Sequence, residues 1–215
     1  MVTEQQNLFI YGASGHAKVV IDIVERQPGL RITTVIDDNA ALHGQAFFGY
    51  GISGGRETLL QMVRQRRVDG GIVAIGNNGV RASVAAWLTQ SVIKRIAAIH
   101  PRAQIGRETL IGAGSVVMAG VVINSSTTIG EDVIVNTGAT VDQDCVIGDA
   151  AHIAPGCHLC GNVTVGKGSL IGAGCTVIPG IKIGAGVLIG AGSTVLRDVP
   201  DGARVAGSPC REIKN

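Results

Sequence analysis

Residues 111–129 read IGAGSVVMAGVVINSSTTI, and residues 171–190 read IGAGCTVIPGIKIGAGVLIG. In both stretches an aliphatic side chain returns every sixth residue: Ile111, Val117, Ile123 and Ile129, then Ile171, Val177, Ile183 and Ile189. The phase joins them without a break. Stepping by six from Ile105 through Val135, Val141, Ile147, Ile153, Leu159 and Val165 to Val195 meets sixteen positions, all Ile, Leu or Val. If one residue in three were of these types, chance agreement would be on the order of 10⁻⁸. The following residue is often glycine, as at Gly106, Gly112, Gly130, Gly148, Gly166, Gly172, Gly184 and Gly190. A six-residue period is neither helical nor a simple hairpin spacing. It fits short strands joined by tight turns, three hexads making one triangular coil. The aliphatic residue points inward, and the small residue sits at the corner, where backbone freedom is expected to be needed. Sixteen hexads make about five coils, a solenoid whose neighbours bury a continuous core. A β-sandwich of short strands would vary its loop lengths and lose the phase.

This pattern resembles the hexapeptide-repeat, left-handed β-helix acyltransferases over residues 103–209. The resemblance implies a homotrimer of parallel β-helices, with acetyl-CoA lying in the groove between two of them. The closing segment, Pro200 to Pro209, is similar to the family's end after the last coil, and a contact of Arg211 or Lys214 with a CoA phosphate is an expectation from that likeness.

The rest of the composition narrows the function classes. Of 215 residues 46% are hydrophobic, enough for a sizeable core, while aromatics are only 3%, too few for a base-stacking platform. The formal net charge is +2 and no basic run stands out, so neither nucleic acid nor an anionic membrane surface is indicated as a partner. Apolar stretches are short and interrupted by glycine, which argues against a bilayer span. The first ten residues, MVTEQQNLFI, lack the basic and apolar regions of a secretory signal. The five cysteines are Cys145, Cys157, Cys160, Cys175 and Cys210, an odd number, which fits a reduced, cytoplasmic protein. Cys157 and Cys160 form a lone C-x₂-C with no second pair, so no metal site is expected.

The first hundred residues read differently. An apolar run, residues 7–11, leads into Gly12-Ala13-Ser14-Gly15-His16 and then an apolar helix. A strand over 32–36 ends in Asp37-Asp38, an amphipathic helix covers about 55–67, and a strand over 71–75 runs into Gly76-Asn77-Asn78. A helix through Arg81 to Leu88 and a last strand from about 93 to 99 follow. Alternating strands and helices predict a small Rossmann-like parallel sheet, with ligand at the carboxyl ends of its strands. The expected division is an α/β domain over 1–101 and an all-β left-handed parallel β-helix with a C-terminal tail over 102–215. The GASGH turn is not the full dinucleotide fingerprint, and on spacing alone it also reads as a structural turn, with Asp37 and Asp38 as solvated loop residues.

Set before a hexapeptide helix, YGASGHAKVV, VIDD and AIGNN together resemble bacterial sugar-nucleotide N-acetyltransferases. Sialic acid O-acetyltransferases share the layout. The resemblance implies that Ser14, Gly15 and His16 contact a nucleotide-linked amino sugar, that Asp37 and Asp38 bind its base or ribose side, and that Gly76 and Asn77 complete that pocket. Acetyl-CoA is then a co-substrate, and no permanently bound cofactor is implied.

The family's key stretch runs roughly N-x₆-H-[ED]-x-x-I-G-x₃-H. Here Asn136, Asp144 and His152 match, on the substrate, catalytic and acetyl-CoA sides respectively, but Gln143 stands where the family has its histidine. A carboxamide cannot accept a proton near neutral pH. One expectation is therefore a slow enzyme that Gln143→His accelerates. Another is a base elsewhere, His152 first. By the same resemblance Gly161 offers its N–H to the oxyanion, and the corners Gly172-Ala173 and Gly190-Ala191 offer amides to the pantetheine arm. His158 and His100 match no role.

Overall fold

The computed structural model describes residues 5–213, so that the first four residues of the N-terminal segment and Lys214 lie outside it. The chain forms two compact units, Met1–Pro101 and Arg102–Asn215. Among the described residues no helix is long and apolar enough to cross a membrane.

In the first unit β1 (Gln6–Tyr11), β2 (Leu30–Ile36), β3 (Ala46–Phe47), β4 (Tyr50–Gly54) and β5 (Gly70–Val73) form one sheet in the order β3-β4-β2-β1-β5. Every pairing is parallel except the β3–β4 hairpin. Strand β1 is central because Leu8, Phe9, Ile10 and Tyr11 are all buried. Gly71 lets β5 approach closely, since a Cβ there would strike the Phe9 ring. Helices α1 (Gly15–Glu25), α2 (Arg56–Arg64) and α3 (Asn78–Gln90) connect the strands. Phe9, Ile36, Leu59, Met62, Val73, Val84 and Leu88 build one shared apolar core. The chain builds outward from β1 to β2 and β4, then crosses to β5 on the other side. Strand order therefore reverses beside β1, which opens a crevice beyond the strands' carboxyl ends.

Two expectations for this unit change. The strand expected over 93–99 reduces to a single bridge, Gly71 with Arg95, and a two-residue strand, Ala98–Ile99. Its apolar residues signal burial rather than a ladder: Ile93 joins the core as α3 ends. Strands β3 and β4 were not anticipated, because Gly49, Gly51, Gly54 and Gly55 make that stretch read as loop.

The second unit is the left-handed β-helix. Sixteen two-residue strands run from Gln104–Ile105 to Thr194–Val195, and each of the sixteen aliphatic positions is the second residue of one. All are buried except the first two, Ile105 and Ile111, which begin the stack. Strands pair in parallel with those 18 residues away, as Thr140–Val141 does with Val122–Ile123 and His158–Leu159. The last strand, Arg211–Glu212, instead pairs antiparallel with Arg204–Ala206.

The glycine after each aliphatic residue has a different cause from the one expected. These glycines do not adopt left-handed φ. A Cβ at Gly166 would run into the backbone of Gly184 and Ala185 on the next coil, and one at Gly112 into Gly130. Backbone freedom is needed two residues later, where every sixth residue from Glu108 to Gly192 has positive φ. The inner corner that follows carries polar atoms that are all satisfied. Ser115 Oγ donates to the Gly130 carbonyl at 2.7 Å and accepts the Val133 N–H at 2.9 Å, and Ser169 does the same with Gly184 and Val187. Cys145, Cys157 and Cys175 occupy the same inner position, their thiols donating to the carbonyls of Cys160, Gly172 and Gly190. Burial pushes the Cys145 thiol pKa up.

Candidate functional site

The α/β unit holds a cavity of about 470 Å³ at the reversal of its strand order. Its wall includes Tyr11 to Ser14 after β1, Asp37 and Asp38 after β2, Arg56 at the start of α2, and Gly79, Val80 and Ser83 on α3. Helices α1 and α3 both begin at this wall, and neither carries an acidic residue in its first turn. That arrangement favours phosphate, because α1 has no side-chain cap and both helix dipoles start at the wall with no acidic residue in the first turn.

The two aspartates do different work. Asp37 accepts the Ala13 N–H at 2.8 Å on one carboxylate oxygen and the Asn39 N–H at 2.8 Å on the other. It thereby clamps the glycine turn to the end of β2. Asp38 accepts the Tyr11 hydroxyl at 2.7 Å and the Arg56 Nε–H at 3.3 Å. The Arg56 guanidinium lies 4.9 Å from the Trp87 ring centroid, a cation–π contact that holds it flat. Burial and the bond to Asp38 raise the Tyr11 pKa, so its hydroxyl stays a neutral donor. Ser14 also reaches the wall. Gly15 and His16 lie in the first turn of α1 beside the wall, not in it.

Gly76 and Asn77 hold the β5–α3 loop in shape. The Gly76 carbonyl accepts from Arg81 at 3.1 Å, and the Asn77 side chain caps α3 by accepting the Val80 N–H at 3.0 Å. Tyr11 and Arg56 were missed in the sequence. Tyr11 ends the first strand, so the strand-end rule covers it; Arg56 follows β4, which was not read as a strand. Asp37→Ala is expected to cost about 1 kcal/mol of α/β-unit stability, through the half-buried Ala13 N–H and the exposed Asn39 N–H losing their acceptor. Asp38→Ala, at a more exposed position, is expected to cost under about 1 kcal/mol. Urea unfolding followed by Trp87 fluorescence measures both.

On the β-helix the expected residues fall at two successive corners, at opposite ends of the strand Thr140–Val141. At one, Asn136 Oδ1 accepts the Thr137 N–H at 2.8 Å, which leaves Asn136 Nδ2 to face His152 Nε2 at 3.1 Å. An amide nitrogen only donates, so His152 Nε2 is the acceptor and its lone pair is engaged. At the other corner, the Gln143 carboxamide lies on Gly161 of the next coil, where a Cβ would collide with it. Asp144 has φ 61° and belongs to the left-handed column with Ser126 and Asn162. Aspartate and asparagine tolerate that conformation well, which accounts for an acidic residue at this turn. Among the described residues, the side chains of Gln143 and Asp144 have no hydrogen-bond partner, so nothing joins them within one chain.

The expected backbone donors divide into two groups. Gly172 and Gly190 donate their N–H groups to Ile189 and Val205, at 2.9 and 2.8 Å, within the ladder. Their absent side chains serve coil stacking, since a Cβ at Gly172 would meet Ala191 and one at Gly190 would meet Ala206. Of the expected residues, Gly161, Ala173 and Ala191 have amides that donate to nothing among the described residues. Ala173 and Ala191 sit in one column, a coil apart. Arg211, exposed on the last strand, borders a cavity of about 230 Å³ with Arg197 and Cys210.

Comparison with known proteins covers both units. Residues 7–88 match the PglD N-terminal domain family. Residues 102–143 match the hexapeptide repeat of succinyl-transferase, and residues 144–178 and 162–197 the bacterial transferase hexapeptide (six repeats). Over 114 residues the chain is 35% identical to the UDP-N-acetylbacillosamine N-acetyltransferase of Bacillus subtilis (strain 168), a match that spans 53% of this chain and 52% of that protein. Two variants of the perosamine N-acetyltransferase from Caulobacter crescentus, solved with CoA and GDP-perosamine, superpose with TM-score 0.91 at 36% identity, covering 97% of each chain. In these, one histidine is replaced by asparagine or by alanine. The acetyltransferase domain of PglB from Neisseria gonorrhoeae, in complex with acetyl coenzyme A, superposes with TM-score 0.89 at 34% identity, covering 97% of this chain and all of that one.

Proposed function

This chain belongs to the hexapeptide-repeat sugar-nucleotide N-acetyltransferases, and from that premise we propose that it moves the acetyl group of acetyl-CoA onto the C4 amine of a nucleotide-linked deoxyamino sugar, such as GDP-perosamine or a UDP-linked 4-amino sugar. The observation that carries the reading is the pairing of a phosphate-friendly cavity in the α/β unit with a β-helix whose corners expose free amides. The nucleotide diphosphate would sit at the starts of α1 and α3, with Asp38 and Arg56 toward its base and ribose. Acetyl-CoA would lie along the Ala173–Ala191 column, in a groove between two copies of a homotrimer in the cytoplasm.

The chemistry follows from those groups. A neutral amine attacks the thioester carbonyl, the developing oxyanion is met by the Gly161 N–H, and the amine's proton passes to a base. Gln143 cannot be that base, though its amide can still touch ligand. That relatives lacking one histidine hold CoA and GDP-perosamine supports binding without it. O-acetyl transfer of the sialic acid type is the weaker reading, because a hydroxyl is a poorer nucleophile and depends more on a base.

Calorimetric titration with acetyl-CoA, GDP-perosamine and a UDP-linked 4-amino sugar, followed by mass spectrometry of the mixed reaction, tests the reading. Acetyl-CoA and one nucleotide sugar are expected to bind, and that sugar to gain one acetyl group. Binding of neither ligand would reduce the protein to a scaffold.

A further inference from the structure

We infer that His158 is the proton-accepting catalytic residue of this chain, in place of the side chain that Gln143 does not supply. The inference rests on the acetyl-transfer reading above. The β-helix carries two histidines, His152 and His158, and the other three belong to the α/β unit. His152 is poorly placed to take a proton, because the Nε2 lone pair already accepts from Asn136 and protonation there would break that bond. His158 is different in each respect. It is the outward residue of the strand His158–Leu159 and is exposed. Its Nδ1 lies 3.0 Å from Thr140 Oγ1, on the neighbouring strand of the same sheet. The Thr140 hydroxyl can either donate to Nδ1 or accept from it, unlike the Asn136 amide nitrogen, so the tautomer in which Nδ1–H donates and the Nε2 lone pair is available costs no bond. Protonation then adds a proton at Nε2 and leaves the Thr140 bond intact.

Its position joins it to the other reacting groups. The strand ends at Leu159, and after Cys160 comes Gly161, whose N–H donates to nothing among the described residues. The Gln143 carboxamide lies on that same Gly161. The imidazole and the oxyanion donor therefore share one coil, and the substituted base position lies at the same corner of the neighbouring coil. The groups flanking His158 on its sheet, Thr140 and Thr176, carry no charge, and the titratable groups on the adjoining turns are Asp142, Asp144 and Cys160. In the step itself the amine nitrogen bonds to the acetyl carbon, the carbonyl electrons move to oxygen, and the N–H proton goes to His158 Nε2. The intermediate then re-forms the carbonyl, the C–S bond breaks, and the leaving CoA thiolate takes the proton back from the imidazolium.

The test uses the full chain with acetyl-CoA and either GDP-perosamine or a UDP-linked 4-amino sugar. His158→Gln is expected to lower kcat by about 10²–10⁴ with KM for both substrates nearly constant. It should also abolish the rising limb of the kcat–pH profile, with thermal unfolding unchanged. Gln143→His added to His158→Gln is expected to restore most of the lost rate, because it returns an imidazole to the same corner. A His158→Gln protein with full turnover and an unchanged limb overturns the inference. If the unsubstituted chain acetylates neither sugar, it is the acetyl-transfer reading that falls. Histidine NMR then decides the role of His158: acetyl-CoA is expected to move the His158 ring resonances more than those of His152, and an unmoved His158 overturns the inference.

Discussion

Arg81→Ala is expected to destabilise the α/β unit by about 3–5 kcal/mol, one of the two largest single-site losses in the molecule. Arg81 is 1% exposed although it carries a charge. Its guanidinium donates to the Ile75 carbonyl at 3.0 Å, the Gly76 carbonyl at 3.1 Å and Asn78 Oδ1 at 2.9 Å. These are three acceptors on one short loop, and a planar fork reaches all of them at once. Alanine would leave the carbonyls without donors in a site too enclosed for easy hydration, and would also open a void. Lysine presents a single ammonium and should recover only part of the loss. Trp87, the chain's one tryptophan, packs on Tyr11 and Arg56 in this unit, so its fluorescence reports unfolding here separately from the β-helix. The same loop forms one wall of the cavity, so nucleotide-sugar affinity is expected to fall with stability. A loss below about 1 kcal/mol for Arg81→Ala would mean that water satisfies the loop.

Gly166→Ala and Gly174→Ala are expected to differ sharply although both replace a turn glycine by the smallest side chain. At Gly166 the new methyl would meet the backbone of Gly184 and Ala185, which cannot rotate away as a side chain can. Relief requires spreading two coils and stretching their ladder, at a cost of about 3 kcal/mol or more. At Gly174 there is open space, and the penalty is only that of φ +68° for an alanine, about 1 kcal/mol. Asparagine at Gly174 should cost less still, as Asn162 adopts the same left-handed conformation at another corner of the β-helix. Far-ultraviolet circular dichroism during thermal unfolding, with intrinsic fluorescence as the check on the other unit, measures the pair. Equal losses would overturn the distinction between contact and conformation.

That distinction also marks how far the sequence was readable. The β-helix was legible strand by strand, because a single inward aliphatic position repeats without interruption from Ile105 to Val195. The reason for its glycines was not, since the backbone of the next coil is no local neighbour in sequence. In the α/β unit the strands with long apolar runs were legible, whereas β4, broken by glycine, and the over-long strand at 93–99 were not. The site was legible in part. The strand-end rule found Ser14, Asp37 and Asp38, but separating the clamp from the residue that faces the cavity needs hydrogen-bond directions, which no spacing encodes. Gln143 was visible as a departure from a motif. That His152 faces an amide nitrogen, which only donates, while His158 faces a hydroxyl, which can donate or accept, depends on which side chains the neighbouring coils bring beside them.

The reversed strand at the end of the β-helix has a consequence for the behaviour of the protein in concentrated solution. Each coil presents an unsatisfied parallel edge to whatever lies beneath it, and identical edges on separate molecules are natural templates for one another. Arg211–Glu212 closes one of the three sheets by running against the direction of every strand above it, and it places two opposite charges at that rim. A second molecule cannot continue the parallel stack there without displacing it. The terminal segment thus acts as a stopper against fibre growth, and a chain ending before residue 204 would lose that protection.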